Sequence, residues 1–351
     1  MYEVRKNALY GLELEEAQQI LESYGEPPYR ARQLLEWLYH RHIDRWDQIS
    51  NLPKSLLEKL KSEFPLSSLL PKGSFPSPHG QSVKFLFETP DRHLLESVLI
   101  TQQGRDTVCV STQLGCKMKC VFCASGKSYS RNLTAGEIVA QVAGVEKHLG
   151  RRVSNVVFMG MGEPLDNFEA TMKALRILQA DWGFGLGARR ITVSTVGITP
   201  KIEEFVKKMG GRVRLSVSLH SSDEKRRSKL VPVNRRYSLA ALQKKLGEIY
   251  RKLKREITFE YTLLEGVNDT PDEARGVARL AKPLGAKVNL IPYNPIQGVD
   301  FKRPSQKRIE AFRQILLKSG IRVTVRQTAG RDINAACGQL VLDRETSPVA
   351  K

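Results

Sequence analysis

From about residue 107 the chain repeats one pattern, a short apolar, β-branched run followed by a longer stretch with helical spacing. The strand-like runs are Thr107–Ser111, Val153–Phe158, Arg190–Ser194, Val213–Leu219, Ile257–Thr262 and Val288–Ile291, and a helical pattern follows each. Two of those helices begin with the form of a capping box, Thr134-x-x-Glu137 and Thr270-Pro271-Asp272-Glu273. A last strand is expected over Ile321–Arg326. Strands separated by helices pair in parallel, because each helix carries the chain back across the sheet in a right-handed crossover. Six such units are too few for a closed eight-stranded barrel, so the expected fold class is α/β, a partial, open (β/α)6 barrel. A flat doubly wound sheet is the alternative. In either case chemistry belongs in the loops that follow the C-terminal ends of the strands.

The first hundred residues follow other rules. Over 12–64, Leu14, Ile20, Leu21, Leu34, Leu35, Leu38 and Leu57 recur at helical spacings among polar residues, which predicts a small helical N-terminal accessory domain. Pro65–Gly80, rich in Pro, Ser and Gly, reads as a linker. Ser82–Glu88 and His93–Ile100, bridged by Thr89-Pro90-Asp91-Arg92, read as a hairpin. The expected organisation is a helical unit over 1–70, a linker and hairpin over 71–100, a barrel over 101–320, and a terminal strand and loop over 321–351.

Charge divides along the same boundary. The net charge is +19, with −2 on residues 1–100 and +21 on the remainder. Such a balance predicts a polyanionic partner, most commonly nucleic acid, attracted mainly by the larger domain. The basic clusters are Arg189-Arg190, Lys225-Arg-Arg-Ser-Lys229, Arg235-Arg236, Arg251-Lys-Leu-Lys-Arg255 and Lys302-Arg-Pro-Ser-Gln-Lys-Arg308, and several are expected to border the strand-end rim. No apolar run of about 18 residues is present and Met1–Lys6 carries no apolar secretion stretch, so a cytoplasmic protein with no membrane partner is expected.

The cysteines number five, an odd count, and three of them crowd into Cys116-Lys-Met-Lys-Cys120-Val-Phe-Cys123, after the first strand. That argues against a disulfide framework and for a metal site. A structural zinc site needs a fourth ligand, and no second Cys-x-x-Cys or His-x-x-x-His exists to supply it. Three thiolates on a [4Fe–4S] cluster leave one iron open to a substrate or cofactor. The C-x3-C-x2-C spacing resembles that of the radical SAM superfamily, in which the amino and carboxylate groups of S-adenosylmethionine (SAM) chelate the fourth iron. The later strand-end loops suit a SAM pocket. Met159-Gly160-Met161-Gly162-Glu163-Pro164 offers close backbone approach at its glycines and a carboxylate, Glu163, for an ammonium group. Ser194, Ser218-Leu219-His220 and Asn294 end the third, fourth and sixth units. Cys109 and Cys337 stand alone, and a lone cysteine is commonly a small buried hydrophobe.

Taken together, these residues closely resemble the RlmN/Cfr family of radical SAM RNA methyltransferases, and within it the RlmN branch. The shared elements are Cys109-Val-Ser-Thr-Gln-Leu-Gly-Cys116-x3-Cys120-x2-Cys123, Gly160-Met-Gly-Glu-Pro164, Ser218-Leu-His220, Asn289-Leu-Ile-Pro292, Ala335-Ala-Cys337-Gly-Gln-Leu340 and Asn51-Leu-Pro-Lys54. The resemblance implies a radical SAM barrel that methylates C2 of an adenine in 23S rRNA and in tRNA next to the anticodon. It implies one [4Fe–4S] cluster on Cys116, Cys120 and Cys123, and two SAM molecules per turnover held by Gly162, Glu163, Ser194, Ser218, Leu219, His220 and Asn294. One SAM methylates Cys337, and the second yields the radical that activates that methyl group. Cys109 resolves the adduct through a transient disulfide with Cys337, and Glu96 accepts the ring proton. The remaining implications are an electron donor such as flavodoxin or ferredoxin, and a monomer. Methylation at C8, as in the Cfr branch, is the nearest alternative, and a non-catalytic Fe–S or zinc RNA-binding module is the more distant one.

Overall fold

Seven parallel strands carry the alternation that the sequence predicts. They belong to a computed structural model that describes residues 8–78, 80–326, 333 and 335–340. In chain order the elements are α1 Leu14–Ser23, α2 Tyr29–Tyr39, α3 Lys54–Glu63, β1 Leu70–Pro76, β2 Ser82–Glu88, β3 Leu94–Gln102 and β4 Arg105–Val110. They continue with β5 Gln113–Gly115, β6 Tyr129–Asn132, α4 Ala135–Leu149, β7 Asn155–Phe158, α5 Phe168–Gln179, β8 Ile191–Thr195 and α6 Thr199–Met209. The remainder are β9 Arg214–Ser218, α7 Glu224–Leu230, α8 Leu239–Leu253, β10 Ile257–Leu263, α9 Pro271–Ala281, β11 Lys287–Pro292, α10 Gln306–Lys318 and β12 Val323–Val325. One ten-stranded sheet runs β1-β2-β3-β4-β7-β8-β9-β10-β11-β12. From β4 to β12 every pairing is parallel. The end strands β1 and β12 do not pair, so the curved sheet stays open as a partial barrel. Val156, Val193, Val217, Phe259 and Leu290 are fully buried, as strands covered on both faces require.

The stretch expected to be a linker contains a strand instead. Leu70–Pro76 pairs antiparallel with β2 and forms the sheet edge, with a register shift between Pro71 and Gly73. Proline cannot donate to a ladder, which confines Pro71 and Pro76 to an edge. The β2–β3 hairpin forms as expected and extends the parallel sheet through β4. At α4 the capping box is complete: Thr134 Oγ1 accepts from Glu137 N (3.1 Å) and the Glu137 carboxylate accepts from Thr134 N (2.8 Å). At α9 only half of it forms. Thr270 Oγ1 accepts from Glu273 N (3.3 Å), while the Glu273 carboxylate turns inward to Ser221, Ser222, Tyr261 and Arg226.

The N-terminal unit docks on the barrel through its backbone. A Cβ added at Gly136 of α4 would lie 2.2 Å from the carbonyl oxygen of Tyr10, so the contact exists only because Gly136 has no side chain. Tyr39 fixes the approach, accepting from Gly11 N (2.9 Å) and donating to Leu12 O (2.8 Å). Glu13 and Glu16 pair with Arg176 and Lys173 of α5, and His42 with Glu146 of α4. Part of the unit's acidity is thus spent on the basic barrel. Gly136→Ala is expected to lower stability by about 1–3 kcal/mol through overpacking against backbone. Thermal denaturation checks this, and an unchanged midpoint would contradict it. Residues 1–7 and 341–351, the ends of the first and last expected segments, lie outside the described residues. Among the described residues no helix is long and apolar enough to cross a membrane.

Candidate active site

A cavity of about 290 Å³ opens over the C-terminal ends of the parallel strands. Its wall brings together Cys109, Cys116, Cys120, Cys123, Gly162, Glu163, Ser194, Ser218, His220, Asn294 and Cys337. Two expected residues do not line it. The Leu219 side chain is buried in the core, and its backbone N–H donates to Glu260 O (2.9 Å). Glu96, on β3, is buried with its carboxylate 2.9 Å from Lys84 Nζ.

The loop after β4 is tied down before it reaches the first cysteine of the cluster. Cys116 N donates to Ser128 O (2.8 Å), Cys123 N to Cys120 O (3.1 Å) and Val121 N to Leu230 O (3.1 Å). Phe122 meets His220 edge-on at 4.6 Å between ring centres. Burial pushes the Cys116 thiol up to about 12 and raises Cys120 and Cys123 as well. Proximity adds to this, since Cys123 further raises both Cys116 and Cys120. Among the described residues, no three His, Cys, Asp or Glu side chains converge on one ion-sized point. Three soft donors from a single loop, facing one cavity, suit an iron–sulfur cluster, and loading it would displace the thiol protons.

Opposite the loop, Glu163 is buried and accepts from Leu165 N (3.1 Å) and Val196 N (2.8 Å). Burial raises its carboxyl to about 7 despite those two bonds. A cationic group in the cavity would favour its charged form, which suits the amino group of SAM. Asn294 Oδ1 is buried without a hydrogen-bond partner among the described residues, an open acceptor on the same wall. His220 holds a left-handed backbone (φ 58°), a conformation that non-glycine residues rarely adopt. Its Nδ1 accepts from Thr262 N (3.0 Å), which leaves Nε2 as the donor. Burial and then Arg227 lower its pKa to about 3, so it stays neutral. The glycines of the Met159–Pro164 loop line the cavity, and they also allow a close approach of backbone to its neighbours. A Cβ at Gly160 would lie 2.6 Å from Ser111 Oγ, and one at Gly162 2.6 Å from the Gln113 side chain. They let this loop pack against the segment after β4.

Arg227 sits in the cluster Lys225-Arg-Arg-Ser-Lys229, whose composition suggests a solvated face, yet it is fully buried. It donates to Leu219 O (3.0 Å), Ser218 O (3.1 Å) and Val196 O (2.6 Å), and also to Asn234 Oδ1. One guanidinium therefore locks the loops after β8 and β9 together.

The C-terminal segment folds over the cysteine loop. Ala124 N donates to Gly338 O (2.8 Å), Ser125 Oγ to Leu340 O (2.8 Å), Asn294 Nδ2 to Cys337 O (3.2 Å) and Gln339 Nε2 to Pro295 O (3.0 Å). These bonds hold Cys337, an exposed residue, on the cavity wall with its thiol partly desolvated there, while Cys109 lines the same space from β4 and is buried. Burial raises the Cys109 thiol to about 12 and also raises Cys337, with Arg326 opposing the rise in both. Burial likewise works against the Arg326 charge, but Cys337, Glu260 and Cys109 around it outweigh that and hold it cationic. Arg326, Glu260 and Arg227 were not anticipated from the sequence. Glu260 alone had a signal there, a carboxylate between Phe259 and Tyr261 on a buried strand.

The basic clusters divide between the two ends of the barrel. Lys225–Lys229 and Arg235-Arg236 come after β9, and Lys302–Arg308 runs from the segment after β11 into α10, so all three follow the C-terminal ends of strands. Arg189-Arg190 and Arg251–Arg255 precede strands and lie at the opposite end, where Arg189 and Arg255 line a separate hollow.

Comparison with known proteins agrees with this geometry. Residues 110–279 match the family model of the radical SAM superfamily, and residues 7–65 match that of the ribosomal RNA large subunit methyltransferase N-terminal domain. The chain is 43% identical over 334 residues to a protein of Desulforamulus reducens described as a probable dual-specificity RNA methyltransferase RlmN, covering 95% of both chains. A protein of Bacillus velezensis with the same description is 44% identical over 338 residues, covering 95% of this chain and 92% of its own. The crystal structure of a radical SAM methyltransferase from Sphaerobacter thermophilus superposes with a TM-score of 0.93 at 45% identity, covering 96% of this chain and 100% of that one.

Proposed function

The chain belongs to the RlmN family of radical SAM RNA methyltransferases, and on that premise we propose that it methylates C2 of an adenine in 23S rRNA, and in tRNA beside the anticodon, with Cys337 carrying the methyl group. The observation that carries this reading is Cys337, which lines the same cavity as Cys116, Cys120 and Cys123. When bound on those three cysteines, a [4Fe–4S] cluster with SAM supplies the carbon-centred radical chemistry that a C–H bond of the methyl group requires.

The chain's own residues do the rest. Cys337 takes the methyl group from SAM by displacement, which needs a thiol open to the cavity. Glu163 receives the ammonium of SAM, and Gly162, Ser194, Ser218, His220 and Asn294, with the Leu219 backbone, shape its pocket. After the carbon has bonded to the base, Cys109 attacks the Cys337 sulfur. The S–S bond forms as the S–C bond breaks, the electron pair of that bond leaves with the exocyclic carbon, which takes up a proton to become the methyl group, and a dithiol reductant restores both thiols. Glu96 accepts the ring proton once its pair with Lys84 turns toward the cavity. An electron donor of the flavodoxin or ferredoxin type would provide the reducing equivalents. The target base must leave its stack to reach the cysteines that line this cavity.

Nucleoside mass spectrometry of RNA after anaerobic turnover tests the reading. 2-Methyladenosine is the expected product; 8-methyladenosine would overturn the ring position, and unmodified RNA after SAM cleavage would overturn the reaction. The division of basic clusters adds a prediction. Arg235→Glu with Arg236→Glu is expected to weaken binding of a substrate stem-loop at least tenfold and to flatten its salt dependence. Arg189→Glu with Arg190→Glu, at the far end, is expected to change binding less than twofold. Equal losses, measured by fluorescence anisotropy, would contradict it.

A further inference from the structure

Arg326 follows β12, and its backbone N–H donates to Leu290 O (2.8 Å), which fixes it to β11. It lines the cavity together with Cys109, Cys337 and Glu260. The Glu260 carboxylate is already engaged, accepting from Ser216 Oγ (3.2 Å) and Asn289 Nδ2 (2.7 Å). Among the described residues the Arg326 side chain has no hydrogen-bond or ion-pair partner. A planar cation with five N–H donors therefore stands open beside the two cysteines between which the base must react.

The chemistry of the base says what those donors meet. Adenine C2 lies between N1 and N3, both ring nitrogens with a free lone pair. C8 lies between N7 and N9, and N9 is blocked by the ribose. A base that offers C2 to the carbon on Cys337 places both N1 and N3 one ring bond from the reacting C2. We propose that Arg326 donates a hydrogen bond to the ring nitrogen beside C2 and stabilises the electron density that reaches this nitrogen as the new carbon–carbon bond forms. The inference rests on the C2 reading above. In the step itself, the unpaired electron of the carbon on Cys337 pairs with one π electron of the C2–N bond. The other electron of that bond is left on the ring nitrogens, and Arg326 keeps its proton throughout. A donor aimed at developing charge in a site shielded from water is worth about 10²–10³ in rate.

The test separates this contact from every earlier step. Wild-type and Arg326→Gln proteins are incubated with SAM until peptide mass spectrometry shows Cys337 equally methylated. Each is then mixed with stem-loop RNA carrying adenosine, 1-deazaadenosine or 3-deazaadenosine at the target, for a single turnover. The expected result is a loss of about 10²-fold for Arg326→Gln on adenosine, a smaller loss for Arg326→Lys, and a comparable loss for wild type on one of the two deaza bases. On that base, Arg326→Gln should cause no further loss, because the contact is already gone. An unchanged single-turnover rate, losses that multiply on both deaza bases, or an Arg326→Gln protein that never becomes methylated at Cys337 would each overturn the proposal. The last result would assign Arg326 to the thiol and not to the base. Failure of wild-type protein to form 2-methyladenosine would instead overturn the underlying C2 reading.

Discussion

Cys120→Ala protein is expected to purify without the iron content and brown colour of the wild type, and to cleave no SAM. The three cluster cysteines come from one loop, and no other cysteine, histidine or carboxylate among the described residues completes a substitute set around it. Two remaining thiolates leave a cluster without its third anchor, and the open iron that SAM needs is lost with it. The same result is expected for Cys116→Ala and Cys123→Ala. The fold should survive, because the loop is also fixed by Cys116 N to Ser128 O, Val121 N to Leu230 O and Ala124 N to Gly338 O, all backbone bonds. Iron and sulfide analysis after anaerobic purification, paired with circular dichroism, checks both halves. Full iron content in Cys120→Ala would remove the cluster assignment.

The second large effect separates the two lone cysteines. Cys337→Ala is expected to keep its iron and to form no methylated RNA, since no sulfur remains to carry the carbon. Cys109→Ala is expected to become methylated at Cys337 and to attack the base, then to stop. RNA should remain bonded to the protein, visible as a nuclease-sensitive shift on a denaturing gel. The burial of Cys109 on β4 and the position of Cys337 on the cavity wall fit this division of labour. The carrier must meet SAM and RNA in turn, while the resolving thiol need only meet the carrier. Normal turnover by Cys109→Ala would contradict it.

The legible parts of this molecule were those set by short-range pattern. The six strands preceding helices lie within two residues of their expected ends, because buried parallel strands are near-continuous runs of Val, Ile and Phe. The spacing of Cys116, Cys120 and Cys123 singles out the loop after β4, and the fold brings the three residues to one cavity. Long-range features were not legible. β1 is hidden by Pro71, Gly73 and Pro76, residues that usually end a strand and here tolerate its edge position. Arg227 looks like its charged neighbours in sequence, and its burial depends on four acceptors from loops that the fold alone assembles. Cys337 carries no local sign of facing Cys109, since the two lie on segments more than two hundred residues apart. Family resemblance supplied that pairing, and the cavity brings both residues to one wall. Glu96 is the opposite case. Resemblance singles it out, whereas its carboxylate is found at Lys84, away from the cavity lining.

The central claim is that the carbon delivered to RNA rests first on Cys337, and an isotope chase tests it most directly. Protein is loaded at Cys337 with SAM carrying a ¹³C methyl group, freed of excess SAM, and then mixed with substrate RNA and unlabelled SAM for a single turnover. The account predicts that the first 2-methyladenosine formed carries ¹³C, while the Cys337 peptide loses it in equal amount. Unlabelled 2-methyladenosine, with ¹³C retained on Cys337, would contradict the account.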